Sequence, residues 1–109
     1  ATRYSWLGLK AAWLHEAAFR QEAGVALIGL PLAIWLARDA VEFLLLVMPL
    51  FILMLTELVN SAIEAAIDRF GGEHHELSGR AKDMGSAAVF MAIMLTCLSW
   101  ITVIGDIYL

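Results

Sequence analysis

The chain has 109 residues, of which 61% are hydrophobic, and its formal net charge at pH 7 is -4. Ordinary soluble domains are about 45–50% apolar. A chain this short and this apolar therefore cannot bury its hydrophobic side chains as a soluble monomer. Its mean hydropathy of +0.79 predicts a single membrane domain over residues 1–109, and because its seven basic residues form no run, nothing predicts nucleic-acid binding.

The first predicted element is an amphipathic surface helix over residues 4–22. Trp6, Leu9 and Trp13 recur at helical spacing, whereas Lys10 falls in another sector of the helix. Tryptophan favours the headgroup region, so we expect this helix to lie along the inner leaflet, with packing against the bundle as the alternative. No uninterrupted apolar stretch follows a basic leader here, and we therefore expect no cleavable signal peptide.

Three apolar segments follow and predict three transmembrane helices. The first, residues 23–37, would be about 22 Å long and must borrow residues 17–19 to cross a hydrocarbon core of roughly 30 Å. The second, residues 40–68, contains Pro49 as a candidate kink and is longer than a span requires. The third, residues 84–104, has no charged residue. The predicted fold class is an all-α membrane protein with three transmembrane helices preceded by a surface helix.

Basic residues are distributed unequally between the segments expected on the two sides of the membrane. Six of them lie in the amino-terminal segment and the second connection: Arg3, Lys10, Arg20, Arg69, Arg80 and Lys82. The first connection carries only Arg38, and the carboxyl end carries none. Because positive charge favours the cytoplasmic side, we expect the amino terminus and the second connection in the cytoplasm and the carboxyl terminus outside.

A polar stripe lies at the cytoplasmic end of the second span. Steps of three or four residues put its members on one helical face: Glu57, Asn60, Ser61, Glu64 and Asp68. Ionisable groups are costly near hydrocarbon, which makes such a stripe a candidate functional site. Glu57 lies about 10 Å of helix rise before Glu64 and nearer the hydrocarbon, where partial desolvation suits a carboxylate to act as a base. Polar contacts that only join helices are the alternative.

The second connection, residues 69–83, is the only sizeable polar loop in this pattern. The glycines at 71–72 can end the long helix, and Ser78 can cap the next one. The histidines at 74–75 stand between two glutamates and raise the question of a zinc site. Adjacent histidines rarely converge on one ion, so a solvated polar turn is favoured.

The polar residues supply the groups that phosphoryl transfer needs, namely carboxylates for Mg²⁺, cations for phosphate oxygens and a base. They are Glu16, Glu64 and Asp68 for the metal, Arg80 and Lys82 for phosphate, and Glu57 for the proton. The sequence contains neither the P-loop motif nor the Gly-x-Gly-x-x-Gly motif, which excludes P-loop ATPases and protein kinases.

Three stretches of the sequence closely resemble the prokaryotic diacylglycerol kinase family. They are Ala17-Ala-Phe-Arg-Gln-Glu22, Glu57-Leu-Val-Asn-Ser-Ala-Ile-Glu-Ala-Ala-Ile-Asp-Arg69 and His75-Glu-Leu-Ser-Gly-Arg-Ala-Lys-Asp-Met-Gly-Ser-Ala-Ala-Val89. The similarity covers nearly the whole chain. It implies a small homotrimeric lipid kinase of the bacterial cytoplasmic membrane, unrelated in fold to soluble kinases, that uses MgATP to convert diacylglycerol into phosphatidic acid.

The resemblance also implies a role for each polar residue at the matching position. Glu57 would be the general base, Asn60 a second catalytic residue, and Glu16 and Glu64 the Mg²⁺ ligands. The residues implied to bind the nucleotide and its metal are Glu16, Glu64, Asp68, Glu73, His75, Lys82 and Asp83. The residues implied to lie near the lipid or the mouth of the site are Arg20, Gln21, Glu22 and Glu57.

Direct in-line transfer from ATP to diacylglycerol is the predicted reaction, with the lipid hydroxyl arriving laterally beside Glu57. Two alternatives stay open. A sister group of the family phosphorylates undecaprenol, although the first of the three stretches and Ser78-Gly79-Arg80 look more like the diacylglycerol branch. The other alternative is a non-enzymatic membrane subunit in which the acidic stripe joins helices or conducts protons.

Overall fold

The computed structural model describes residues 1–70 and 76–109. These residues form four helices: α1 (Thr2–His15), α2 (Ala17–Leu36), α3 (Ala40–Asp68) and α4 (Glu76–Tyr108). The last three are long and apolar enough to cross a membrane. Helix α3 packs against both α2 and α4 and therefore forms the centre of the bundle. An all-helical protein with three helices of spanning length is thus confirmed.

The first helix boundary differs from the predicted surface helix over 4–22 and first span over 23–37. The backbone of Glu16 is extended, with φ -119° and ψ 105°, so α1 ends at His15 and α2 begins at Ala17. The 20 residues of α2 correspond to about 30 Å of helix, which matches the hydrocarbon core. The first span needs the residues from 17 onward to cross the hydrocarbon core. Residues 17–22, which were predicted to end the surface helix, therefore belong to α2.

The second connection is also shorter than the predicted loop over 69–83. Helix α4 begins at Glu76 and continues to Tyr108, so Ser78 lies inside the helix and does not cap it. Hydropathy marks the segment that crosses lipid, whereas a helix can continue into water with its charged residues exposed. The predicted helix stop at the glycines at 71–72 lies outside the described residues.

The apolar core lies at the end of the bundle where α2, α3 and α4 meet near Arg38. Its buried residues are Ala33, Leu46, Val47 and Val103, surrounded by the partly buried Leu36, Ala37, Phe43, Trp100 and Ile107. Most large hydrophobic side chains outside this cluster are exposed. These side chains need an apolar cover, which lipid tails or other copies of the chain can supply, since both are as apolar as the side chains themselves.

A charged cluster, made of Arg38, Asp39, Glu42 and Asp106, closes this end of the bundle. The Arg38 guanidinium donates to the carboxylate of Glu42 on α3 and, at 2.6 Å, to that of Asp106 on α4. Asp39 caps α3 by accepting the Glu42 N–H at 2.8 Å. The hydrogen bonds that Arg38 donates to Glu42 and Asp106 raise the pKa of Arg38 above its ordinary value, so the guanidinium stays charged. The charged cluster marks one boundary of the apolar bundle.

Pro49 interrupts the backbone hydrogen bonds of α3. Because proline has no N–H, the carbonyl of Leu45, four residues earlier, loses its helical partner. The Ser99 hydroxyl of α4 donates to this carbonyl at 2.6 Å, and Trp100 Nε1 donates to the neighbouring Leu46 carbonyl at 2.9 Å. Helix α4 thus replaces the hydrogen bond that the proline removes.

We predict that Ser99→Ala lowers the free energy of unfolding by about 1–2 kcal/mol, because the Leu45 carbonyl is left without a donor in apolar surroundings. Thermal unfolding in detergent micelles measures this loss. The control is Thr102→Ala, which removes an exposed hydroxyl from the same helix and should cost less. Equal midpoints for the two variants would contradict this role of Ser99.

Candidate active site

The polar stripe of α3 lies toward the end of the helix farthest from the charged cluster, and it changes from buried to exposed along its length. Glu57 is only 5% exposed and Asn60 8%, while Glu64 is half-buried. Asn60 Nδ2 donates to Glu64 Oε1 at 2.9 Å and to Glu57 Oε2 at 3.4 Å. Ionised carboxylates only accept hydrogen bonds, so the amide nitrogen must be the atom that faces them. Asn60 therefore bridges two carboxylates that lie two turns apart.

Two further carboxylates converge on Glu57 from the first part of the chain. Glu16 lies at the extended junction between α1 and α2, and Glu22 lies near the start of α2; both are half-buried. Glu57 interacts electrostatically with Glu16, Glu22 and Glu64. The Oε2 atom of Glu22 is buried and has no hydrogen-bond partner among the described residues. We call these four residues the carboxylate cluster: Glu16, Glu22, Glu57 and Glu64.

An ion pair lies at the exposed edge of the carboxylate cluster. Lys82 Nζ is 2.6 Å from Asp68 Oδ1, which joins the end of α3 to the start of α4. The positive charge of Lys82 also interacts with Glu64. The side chains of Lys82 and Asp68 are 44% and 61% exposed, so solvent screens the pair and it adds little to stability. Lys82 is therefore available to a more highly charged anion.

The other predicted site residues have different surroundings. Arg20 donates from Nη1 to the Trp13 carbonyl at 2.6 Å and so satisfies one of the free carbonyls at the end of α1. Gln21 and Asp83 are exposed. The predicted residues at 73 and 75 lie outside the described residues. The structure thus brings together the carboxylate cluster, Asn60, Asp68 and Lys82, and it gives Arg20 a structural contact.

The oxygen donors of the site are of the kind that Mg²⁺ uses when it is shared with a phosphate ligand. Within residues 1–70 and 76–109, no three His, Cys, Asp or Glu side chains are grouped closely enough to hold a metal by themselves. Protein Mg²⁺ sites commonly use only one or two carboxylates, with water and substrate phosphates as the other ligands. Glu16 and Glu64 offer such oxygens, and their negative charges act together on Glu57. A cation would relieve this repulsion.

Two clefts border these residues. One of about 740 Å³ lies between α1 and α3, and its mostly apolar lining includes His15, Glu16 and Ser61. The other, of about 340 Å³, lies between α3 and α4, and its lining includes Asn60 and Gly85. An apolar cleft with a few polar groups suits a ligand that has both an apolar and a polar part.

Helix α4 contributes a contact that the sequence pattern did not predict. Gly85 is buried, and a Cβ placed there would overlap Asn60 Oδ1. The small residues at 85–88 predict a close approach of helices. The pattern carries no signal for which side chain occupies the space, since this depends on the register between α3 and α4.

Comparison with known proteins agrees with the resemblance described above. A family model described as prokaryotic diacylglycerol kinase matches residues 3–104. A diacylglycerol kinase of Escherichia coli strain K12 is 54% identical over 100 residues, which cover 92% of this chain and 82% of that protein. Relatives of the same name from Haemophilus influenzae and Pseudomonas aeruginosa are 46% and 42% identical; the alignments cover 92% and 95% of this chain and 85% of each relative. The chain therefore belongs to the prokaryotic diacylglycerol kinase family.

Proposed function

We propose that the protein transfers the γ-phosphoryl group of ATP to diacylglycerol and forms phosphatidic acid. Membership of the family supports this reaction, because the relatives described above are named diacylglycerol kinase. The observation that carries the proposal is the buried Glu57 carboxylate, held by Asn60 at the end of an apolar helix beside further carboxylates and Lys82.

Helix lengths support a location at the boundary between hydrocarbon and water. If the charged cluster marks the outer boundary, a core of roughly 30 Å occupies about 20 residues of each helix. Counted from Glu42 on α3, the inner boundary falls between Glu57 and Glu64. Counted back from Asp106 on α4, it falls about one helical turn after Lys82 in the sequence, so Lys82 would lie on the cytosolic side of it. Glu57 would then meet a lipid hydroxyl, and Glu64 and Lys82 would meet a ligand dissolved in the cytosol.

In direct transfer the diacylglycerol hydroxyl oxygen attacks the γ-phosphorus of ATP, and ADP leaves with the electron pair of the broken phosphorus–oxygen bond. Glu57 accepts the hydroxyl proton, and Asn60 orients its carboxylate. Lys82 neutralises charge on the phosphates. Glu16 and Glu64 would hold Mg²⁺ together with the phosphates, and the ion would supply further charge neutralisation. Burial of Glu57 excludes water that would otherwise compete with the lipid hydroxyl.

The remaining assignments complete the proposal. On the nucleotide side they are Asp68, Asp83 and the residues at 73 and 75, and near the lipid they are Arg20, Gln21 and Glu22. The amino terminus and the second connection would be cytoplasmic and the carboxyl terminus outside, with α1 along the inner leaflet. The working form would be a homotrimer with shared sites, since the exposed apolar faces of a single chain need a cover.

Lys82 provides a test that separates phosphate binding from a purely structural ion pair. We expect Lys82→Ala to raise the KM for ATP by about tenfold, because one charge-assisted contact to phosphate is lost. Asp68→Asn breaks the same ion pair and keeps the lysine. Lys82→Ala is therefore also measured in the Asp68→Asn background, where the ion pair is already broken. We expect a similar rise in the KM for ATP in that background, and no further rise would contradict a phosphate contact by Lys82.

The reaction itself is tested with purified protein in mixed micelles that contain Mg²⁺ and ATP labelled at the γ-phosphate. Diacylglycerol and undecaprenol are offered separately as acceptors, and we expect labelled phosphatidic acid as the main product. Preferential labelling of undecaprenol would assign the alternative acceptor. The absence of labelled lipid from either acceptor would contradict a kinase and support the non-enzymatic subunit.

A further inference from the structure

Gly85 of α4 lies directly against the amide of Asn60 on α3. A Cβ at position 85 would overlap Asn60 Oδ1 and would lie 3.2 Å from Asn60 Cγ, so the amide would have to move. Gly79 and Gly105 of the same helix have open space at the corresponding position. Gly29 of α2 also has a close neighbour, but that neighbour is an apolar atom of Leu50. Of the described glycines, Gly85 is the one that makes room for a polar group of the site.

The Asn60 amide has little freedom to adapt to such a change. Its nitrogen must face the Glu57 and Glu64 carboxylates, which leaves Oδ1 turned toward Gly85, where it is buried without a hydrogen-bond partner among the described residues. Rotating the amide would bring its oxygen against two carboxylates. Shifting the amide away from α4 would change both hydrogen bonds at once. Contact with the backbone of α4 at Gly85 therefore restricts the position of the Asn60 amide.

We infer that Gly85 is a positioning residue for phosphoryl transfer: the absence of a side chain lets Asn60 lie against α4 and so sets its hydrogen bonds to Glu57 and Glu64. This inference rests on the proposed function, in which these carboxylates are the base and a metal ligand. Gly85 itself contacts no reacting atom. It acts through Asn60 on Glu57, the proposed base, and on Glu64, the proposed metal ligand.

The inference predicts a kinetic change that a loss of folded protein would not produce. In Gly85→Ala we expect kcat to fall by about 100-fold, because displacements of about 1 Å in an active site have effects of this size. We also expect the Mg²⁺ concentration for half-maximal activity to rise, because Glu64 loses its hydrogen bond. A smaller folded fraction would lower the total rate but leave half-saturation by Mg²⁺ unchanged. Alanine is the better helix former, so α4 itself should tolerate the substitution.

The test is a double-mutant cycle of wild type, Gly85→Ala, Asn60→Ala and the combined variant, with rates measured per folded protein. Once Asn60 is truncated, the added methyl group has no amide to displace, so we expect Gly85→Ala to change kcat by less than about twofold in that background. Gly105→Ala is the matched control, since it makes the same substitution on the same helix in open space. Its kcat and Mg²⁺ dependence should equal those of the wild type.

The outcomes distinguish this inference from the proposed function. Non-additive losses, together with altered Mg²⁺ dependence in Gly85→Ala, would support the positioning role. The positioning role would be overturned if Asn60→Ala lowered kcat while Gly85→Ala did not, or if the losses of the two single variants simply added in the combined variant. The proposed function would stand in either case. Full turnover by Asn60→Ala would overturn the proposed role of Asn60 and the inference with it.

Discussion

Glu57→Gln should lower kcat by about 10²–10⁴-fold, the range that proton transfer by a positioned side chain contributes. Glutamine keeps the shape of the side chain and can still accept the hydrogen bond from Asn60, but it cannot take the proton of the lipid hydroxyl. Transfer of label from γ-labelled ATP to diacylglycerol measures the loss. Titration with ATP and Mg²⁺ should show nucleotide binding within about twofold of the wild type, since the base acts in the transition state.

Glu42→Gln is the matched control for this variant. It makes the same change on the same helix, but at the end where Glu42 pairs with Arg38, away from the carboxylate cluster. Its kcat should be close to that of the wild type. Turnover retained by Glu57→Gln would rule out Glu57 as the obligatory base.

The second large effect concerns metal-dependent nucleotide binding. Glu64→Gln should weaken the Mg²⁺-dependent affinity for ATP by about 10–100-fold, in line with changes around other metal sites. A neutral amide is a poorer ligand for a hard cation than a carboxylate, although it preserves the hydrogen bond from Asn60. Glu16→Gln should behave in the same way. The measurement is an ATP titration at a series of Mg²⁺ concentrations.

Asp106→Asn removes a carboxylate from the opposite boundary and serves as the control for both variants. It should leave the Mg²⁺ dependence of ATP binding unchanged. Mg²⁺ dependence equal to that of the wild type in both Glu16→Gln and Glu64→Gln would mean that the metal, if used, is held elsewhere.

Much of the fold could be predicted because hydropathy is a local signal. Helix α3 occupies Ala40–Asp68, the range expected for the second span. The need of the first span for residues 17–19 was predicted from its length, but hydropathy carries no signal that the backbone becomes extended at Glu16 and divides the two helices. The start of α4 at Glu76 was missed because hydropathy reports the lipid-crossing part of a helix and not its full length.

The candidate site could also be predicted only in part from the sequence. Helical periodicity was sufficient to place Glu57, Asn60 and Glu64 on one face, where the structure joins them through one amide. Contacts between helices were not predictable, because a sequence pattern defines the face of a helix but not its axial register against a neighbour. The approach of Gly85 to Asn60 is one such contact, and the donation from Ser99 to the Leu45 carbonyl is another.

The most direct test of this account is the membrane depth of the Glu57 end of α3. The single cysteine is removed by Cys97→Ser, and a spin label is attached through Phe51→Cys or Val59→Cys, both at positions exposed on a single chain. Electron paramagnetic resonance then measures the contact of the label with oxygen and with a nickel chelate. In inside-out vesicles with the chelate only outside, we expect the label at 51 to lie deep in hydrocarbon and the label at 59 to lie near the chelate-accessible headgroups. A label at 59 in the middle of the bilayer, or nearer the opposite leaflet, would contradict the account.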